Sequence, residues 1–153
     1  MIIAEVNDNY TAKQFIDLPR ILYKTDPNFI SPLDKDIKAI FDPRHNNFLA
    51  HGICKRWITR DENGIITGRI AAFINYDKNK NKDFIVGGAG FFESIDDERI
   101  AFKLFDTAKI WLQQHNAKAM DGPINLGEND KYWGLLIHGF LPPSMGMNYN
   151  PPY

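Results

Sequence analysis

The densest group of reactive side chains in this 153-residue sequence lies between residues 93 and 98. Glu93, Asp96, Asp97 and Glu98 supply four carboxylates there, and no glycine separates them. Carboxylates in the first turn of a helix interact favourably with its dipole, but they repel a phosphate. The run therefore predicts the start of a helix and argues against a phosphate-binding loop at this point.

Three glycines, Gly87, Gly88 and Gly90, stand just before the acids. They do not form the G-x-G-x-x-G of a dinucleotide-binding loop, because Glu93 holds the position of the third glycine. We interpret them as a bulge or a site of close packing within a strand.

Other centres of chemistry receive little support from the sequence. The four histidines, at positions 45, 51, 115 and 138, have no metal-ligand spacing on one helix face, so we assign no metal. A lone catalytic histidine stays an alternative. No G-x-S-x-G or Walker-type loop is present. Cys54 is the only cysteine and lies in a strand-like run, so we interpret it as a small packed hydrophobe, with a nucleophilic thiol as the alternative.

The composition indicates the cellular compartment and the classes of binding partner that we expect. A single cysteine fits a reducing cytosol, and the acidic N-terminus does not resemble a signal peptide, so we expect a cytoplasmic protein. No apolar run has the roughly 18 residues of a membrane helix. The net charge of −1 provides no field that would attract nucleic acid or an anionic membrane.

The first third of the chain predicts one strand and two helices. Residues 2 to 6 favour a strand. A helix with Thr11 as its N-cap follows, and Pro19 inside it predicts a kink or two short helices. Proline at the first helical position favours a second helix over Pro32 to Phe41.

The middle of the chain predicts a three-stranded antiparallel meander over residues 50–60, 65–76 and 84–92. A turn at Asp61 to Gly64 and a polar loop at residues 77–83 connect its strands. Residues 70–74 are apolar on both faces of the strand, so helices should cover both faces of the sheet.

A long amphipathic helix should follow the meander. Ser94 and Asp97 have the spacing of a capping box, so we place the helix start near Ser94. Apolar residues then recur at intervals of three and four: Ala101, Leu104, Phe105, Ala108, Trp111 and Leu112. Residues 117–124 predict a strand parallel to the third meander strand, because a helix of about twenty residues separates the two. Asp130 to Gly139 favours a short helix.

These elements describe an α+β fold with a mixed, mostly antiparallel sheet, and their order resembles that of the GNAT superfamily of acetyltransferases. The sequence is also similar to one bacterial branch of that superfamily over nearly the whole chain. The segments that carry this similarity are Phe15 to Pro19, Leu22 to Lys24, Asp26-Pro27, Gly68 to Ala72, Phe91 to Glu93 with Asp96-Asp97, Gly122-Pro123 and Asn148 to Tyr153.

The resemblance implies an acyl-CoA site where the third meander strand meets the long helix. It places Phe91, Phe92, Ser94 and Ile95 at acetyl-CoA or another acyl-CoA. Glu93 stands where these enzymes can keep a carboxylate general base, although an acid at a helix start explains it equally well. Members of the superfamily hold the pyrophosphate on a Gln/Arg-x-x-Gly-x-Gly/Ala loop, and residues 93–99 depart from that pattern.

The same resemblance implies an acceptor site at the end of the parallel strand. Asp121 and Asn125 are the candidates for contacts with an amine or with pantetheine. The pocket could also be lined by Tyr132, Trp133 and Tyr149. In the superfamily an Asn often opens a later helix. If Asn150 opens that helix, the chain is one GNAT-like domain, residues 1–153, without the last helix and strands, and it is the N-terminal portion of a longer protein.

Two functions from different classes follow. The first is an acyl-CoA-dependent N-acyltransferase with an atypical cofactor site, acting on a small-molecule amine. The second is a non-catalytic GNAT-like module that binds a ligand or another domain. A structural half that forms a homodimer through a sheet edge is a third interpretation.

Overall fold

Strand β3 (Ile66–Asn75) is the centre of the sheet, because almost all of its side chains are buried, on both of its faces. The computed structural model describes residues 1–126, 136–143 and 149–151 of the chain. The sheet that surrounds β3 has five strands in the order β1-β2-β3-β4-β5, with β1 (Ile2–Glu5) and β5 (Ala117–Asp121) at its edges. Strands β1 to β4 pair antiparallel, and β5 pairs parallel with β4 (Ile85–Ser94).

Helices cover both faces of this sheet. Helices α1 (Asn9–Leu22) and α2 (Asp34–Ile40) lie on one face, which we call the α1 side, and α3 (Glu98–Gln114) lies on the other, the α3 side. Strand β2 (Gly52–Arg60) completes the meander, and short 3-10 helices precede it and follow β3. The predicted α+β class, the parallel fifth strand and the helices on both faces are confirmed.

Each face has its own apolar core. On the α3 side, Leu104, Ala108 and Leu112 pack against the sheet at residues such as Ile70 and Ile74. On the α1 side, the fully buried residues include Phe15, Leu18, Ile58 and Ala71. Fully burying one large apolar side chain contributes roughly 1.5–3 kcal/mol. These two cores therefore hold the helices to a sheet whose central strand has no solvent-facing side.

Helix α1 begins earlier than predicted. Thr11 is not its N-cap, because Asp8 is: the Thr11 main-chain N–H donates to Asp8 Oδ1 at 2.7 Å. The Asp8 N–H donates in return to Thr11 Oγ1 at 3.3 Å. Thr11 is therefore the third helical residue of a reciprocal capping box, which satisfies two main-chain donors that the first turn leaves open.

Pro19 does not divide α1, so the alternative of two short helices is wrong. A proline has no N–H, and the carbonyl four residues before it loses its helical donor. That carbonyl belongs to Phe15, and Nη1 of Arg69 on β3 donates a hydrogen bond to it. The sheet supplies the donor that the proline removes, so the helix passes through Pro19.

Helix α3 begins later than predicted. Ser94 is not at its start, because Ser94 pairs with Gly68 inside the sheet, and the next N–H, of Ile95, still donates to Thr67 O at 2.9 Å. Asp97 is the N-cap, and its Oδ1 accepts from Arg99 N at 2.9 Å. Strand pairing therefore continues past the residue that the capping-box spacing indicated.

The remaining predictions concern shorter pieces. The second helix begins at Asp34 rather than Pro32, and β2 begins at Gly52 because residues 47–50 form a 3-10 helix. Residues 136–139 are not helical, and residues 130–135 of the predicted short helix lie outside the described residues.

Burial raises the pKa of the Cys54 thiol to about 12, which favours the packed interpretation over the nucleophilic one. Within the described ranges, no helix has the length and apolar character needed to cross a membrane.

Candidate functional site

Strand β4 contains a β-bulge opposite Ile70. Arg69 pairs with Glu93, and Ala71 pairs with Gly90. Two residues of β4, Phe91 and Phe92, therefore lie opposite the single residue Ile70 of β3. Phe91 has a φ of 52°, in the left-handed region that residues with a side chain rarely adopt. Its buried ring lies 4.9 Å from that of Phe41 and 6.1 Å from that of Phe15. The bulge follows the glycines rather than lying among them.

The edge of β4 beside the bulge is covered by the chain that follows β5. The Ile124 N–H donates to Ala89 O at 3.0 Å, and the Phe91 N–H donates to Asn125 Oδ1 at 2.8 Å. Leu126 is fully buried in the core of the α1 side and anchors this segment. Asn125, a predicted substrate-binding residue, therefore lies against the bulge.

Gly90 permits this close approach. A Cβ at position 90 would lie 1.9 Å from Ile124 O and 2.7 Å from Asn125 Oδ1. No side chain can be accommodated at those distances without moving the backbone of the neighbouring segment. The interpretation of the glycines as a site of close packing is correct at this position.

Glu93, the predicted catalytic residue, forms a buried ion pair with Arg69. Nε of Arg69 donates to Glu93 Oε2, and the Arg69 side chain is only 5% exposed. The guanidinium lies 4.9 Å from the centre of the Phe15 ring and 5.8 Å from that of Phe91. Glu93 belongs to β4 and Asp97 caps α3, so the interpretation of Glu93 as a helix-start acid is wrong.

Burial raises the pKa of the Glu93 carboxyl, and the charge of Arg69 and its hydrogen bond oppose that rise. The side chain of Glu93 keeps 17% of its surface exposed, and the described residues give Oε1 no hydrogen-bond partner. A partly buried carboxylate with a raised pKa accepts a proton more readily than an ordinary one.

The junction between β4 and α3 does not fit a diphosphate. The Asp97 carboxylate caps α3, and Arg99 Nη2 pairs with its Oδ2 at 2.6 Å. Its hydrogen bonds with Arg99 hold the pKa of Asp97 below the usual range, so the group stays negative. The Arg99 guanidinium is thus already paired, and Asp96 and Glu98 add further negative charge. The phosphates of CoA would be repelled here.

The structure brings together only some of the predicted site residues. Phe91, Glu93 and Asn125 meet on the α1 side of β4. Phe92 stacks on Phe105 of α3, with ring centres 4.4 Å apart. The other three lie elsewhere: Ser94 on the α3 side opposite Gly68, Ile95 exposed after β4, and Asp121 exposed at the end of β5.

Of the aromatic and histidine candidates, Tyr149 and His51 lie away from the bulge. Tyr149 packs on Tyr23 and Phe29, with ring centres 4.7 and 5.3 Å apart, and its hydroxyl donates to Asp26 in the α1–α2 connection. Tyr132 and Trp133 lie outside the described residues. His51 contacts Asp77 at 3.2 Å in an open groove at the other end of β2 and β3. In the described part of the chain, no three side chains form a metal-ligand cluster.

Arg69 is the site residue that the sequence analysis missed. The signal for it is an arginine at the centre of a strand that is otherwise apolar on both faces. A charge at such a position needs a partner. That partner, Glu93, is 24 residues away along the chain, and the Phe15 carbonyl is 54 residues away.

Replacing Arg69 by methionine should lower the free energy of unfolding by about 3–5 kcal/mol, because it leaves the Glu93 carboxylate buried without a partner. The loss should be larger at pH 8 than at pH 5. Without Arg69 the folded-state pKa of Glu93 rises further above its unfolded value. The stability that protonated Glu93 confers is therefore present at low pH and is lost as the pH rises through the folded-state pKa. Urea denaturation at both pH values measures this.

The matched control is the double variant Arg69→Met/Glu93→Gln, which has no carboxylate to titrate at this position. Its free energy of unfolding should lack the fall between pH 5 and pH 8 that Glu93 causes in Arg69→Met. An equal loss at both pH values in Arg69→Met alone would contradict the description of the pair.

Gly90→Ala should lower the free energy of unfolding by about 1–3 kcal/mol or more, because the new Cβ displaces Ile124 and Asn125. It should also accelerate hydrogen exchange of the Phe91 amide, which loses its bond to Asn125. Gly64→Ala is the control: it has a φ of 79° and open space around it, so it should cost about 1 kcal/mol from strain and leave the Phe91 exchange rate unchanged. Equal exchange in the two variants would show that Asn125 is not held against β4.

Solved structures with a similar fold include acetyltransferases. The aminoglycoside antibiotic 6'-N-acetyltransferase AAC(6')-Ih from Acinetobacter baumannii superposes with a TM-score of 0.54 at 17% identity, over 84% of this chain and 82% of that one. A Pyrococcus furiosus protein described as an acetyl transferase has a TM-score of 0.50 at 15% identity, over 84% and 86% of the two chains.

Two curated proteins are similar in sequence. Protein YghO of Escherichia coli is 34% identical over 142 residues, which are 92% of this chain and 36% of YghO. The bacterial ceramide synthase of Caulobacter vibrioides is 32% identical over 143 residues, 92% of this chain and 37% of that protein. The chain thus spans just over a third of the length of these relatives.

No protein-family model matches the sequence. The element order, the single parallel strand pair and the superpositions on acetyltransferases agree with one another. The chain has a GNAT-like fold, the fold of the GNAT acetyltransferases.

Proposed function

We propose that this chain is the GNAT-fold portion of an N-acyltransferase, which transfers an acyl group from acetyl-CoA or a longer acyl-CoA to a primary amine. The observation that carries the proposal is the bulge in β4, where the partly buried carboxylate of Glu93 and the amide of Asn125 stand on either side of Phe91. A base and an amide group on one face of a strand suit the attack of an amine on a carbonyl.

The similar proteins support this reaction class. The aminoglycoside enzyme is by name an N-acetyltransferase. The ceramide synthase is named for a product in which a fatty acyl group is joined by an amide bond to a long-chain amino alcohol. Because this relative matches 92% of the chain, a long-chain amine is the acceptor class that we would test first.

In this proposal Glu93 takes the proton that the amine loses. The amine nitrogen forms a bond to the carbonyl carbon of the thioester, the carbon–sulfur bond breaks, and CoA leaves as a thiolate, which takes up a proton from water while Glu93 returns its own proton to water. Arg69 holds Oε2 of Glu93, so Oε1 is the oxygen that meets the amine. The raised pKa of Glu93 brings its basicity closer to that required near neutral pH.

In this proposal the diphosphate of the acyl-CoA does not bind at the start of α3, which is where the superfamily binds it. Residues 95–98 do not fit a diphosphate, because they carry three carboxylates and the Arg99 guanidinium is paired with Asp97. The diphosphate is therefore assigned to a surface other than the start of α3. This is the feature that makes the cofactor site atypical.

The carboxylates at the start of α3, those of Asp96, Asp97 and Glu98, favour a second candidate, a non-catalytic module that binds a ligand or another domain. The edge of β4 beside the bulge is closed by residues 124–125, which also fits a module without an acyl donor. Binding measurements distinguish the two candidates.

Calorimetry and thermal denaturation with acetyl-CoA, CoA and a long-chain acyl-CoA test the proposal. An acyl-CoA at about 100 times its Kd should raise the free energy of unfolding by about 2.7 kcal/mol. Glu93→Gln should retain binding and lose about 10²–10⁴-fold in amine acylation. Glu62→Gln, in the exposed hairpin turn, is the matched control and should behave as the unmodified chain. No shift with any donor at millimolar concentration would favour the non-catalytic module.

A further inference from the structure

Asn125 is a buried side chain with only one half of its amide in use. It is 7% exposed, and its Oδ1 accepts the Phe91 N–H at 2.8 Å. A main-chain N–H can only donate, so this bond fixes which end of the carboxamide is oxygen. The two N–H groups of Nδ2 must therefore point away from Phe91, and the described residues provide no acceptor for them.

Nδ2 is not fully enclosed by the protein, so it can donate to a ligand that approaches the bulge. Three contacts hold Asn125 in this position. Gly90 makes room for Oδ1, the Ile124 N–H donates to Ala89 O, and Leu126 is fully buried just after it. These contacts fix residues 124–126, so the Asn125 amide lies at the bulge in a single orientation.

The main-chain donor at the bulge is the Phe91 N–H, and it already donates to Asn125 Oδ1. This N–H is therefore not available to a ligand. The hydrogen bond polarises the carboxamide and strengthens Nδ2 as a donor, because bonds in a chain reinforce one another. Asn125 Nδ2 therefore replaces the Phe91 N–H as the donor that a ligand can reach, one amide group farther from β4.

We propose that Asn125 Nδ2 donates a hydrogen bond to the oxygen of the acyl carbonyl in the proposed acyl transfer. This inference rests on the proposed function. Negative charge develops on that oxygen as the amine attacks, and a donor fixed in advance stabilises it without reorganisation.

The alternative role for Asn125 is to cap the bulge and no more. Asn125→Asp separates the two roles. The carboxylate keeps an oxygen for the Phe91 N–H and removes both Nδ2 donors. Hydrogen exchange of the Phe91 amide should stay slow in this variant, and the Kd for acetyl-CoA should change little. The kcat for amine acylation should fall by about 10²–10³-fold with KM nearly unchanged.

Asn63→Asp is the matched control, because it makes the same change in the exposed turn between β2 and β3. Its kcat should equal that of the unmodified chain. Asn125→Ala removes both the acceptor and the donors, so it should lose kcat and also accelerate exchange at Phe91. If the aspartate variant is too unstable to measure, the alanine variant still tests the loss of the donor.

Infrared spectroscopy tests the contact without turnover. Acetyl-CoA labelled with ¹³C at the carbonyl, bound to the unmodified chain without an amine, should show its carbonyl stretch at lower frequency than in water. The shift should disappear in Asn125→Asp. An unshifted stretch in the unmodified chain, or an unchanged kcat in Asn125→Asp, would overturn this inference while leaving the proposed function standing. Failure of acetyl-CoA and longer donors to bind the unmodified chain would overturn the proposed function itself.

Discussion

The structure depends on the guanidinium of Arg69, which lies buried on the α1 side of the sheet. It donates to the Phe15 carbonyl, which Pro19 leaves without a helical donor, and to the Glu93 carboxylate. The rings of Phe15 and Phe91 lie beside it. One side chain thus connects α1, β3 and the bulged part of β4. A buried charge is tolerated only when it is paired and hydrogen-bonded, and these three elements together supply the partners.

The geometry of the candidate site follows from that connection. With Glu93 held by Arg69 and Phe91 held by its ring contacts, β4 bulges opposite Ile70 and directs the Phe91 N–H to Asn125. The fold is that of acetyltransferases, but the acids at the start of α3 do not suit a diphosphate. In the proposed function, the bulge supplies a base, Glu93, and a donor, Asn125, whereas the start of α3 carries negative charge.

Periodic features of the sequence predicted the fold well. The apolar run through Ile70 predicted a strand covered on both faces, and the intervals between Leu104 and Leu112 predicted α3. Helix starts were harder, because Asp8 and Thr11 each offer a cap and only their reciprocal bonds show which one is used. Ser94 had the spacing of a cap, but sheet pairing continues through it.

The site could be predicted only in part. Glu93 and Asn125 were identified from a resemblance, whereas Arg69 was not, because its partners are distant along the chain. No local pattern shows that the Phe15 carbonyl lacks a donor or that a guanidinium 54 residues later supplies it. The bulge at Phe91 likewise depends on contacts with Phe15 and Phe41, which tertiary packing brings together.

Nitrogen NMR of the arginine side chains tests the central role of Arg69 most directly. If its guanidinium bonds to the Phe15 carbonyl and to Glu93, its Nε–H should exchange slowly with water, and its Nη1 and Nη2 signals should be separate. A scalar coupling across the hydrogen bond should connect Nη1 to the Phe15 carbonyl carbon. An Arg69 side chain that exchanges and rotates as freely as the exposed Arg44 would contradict this description of the fold.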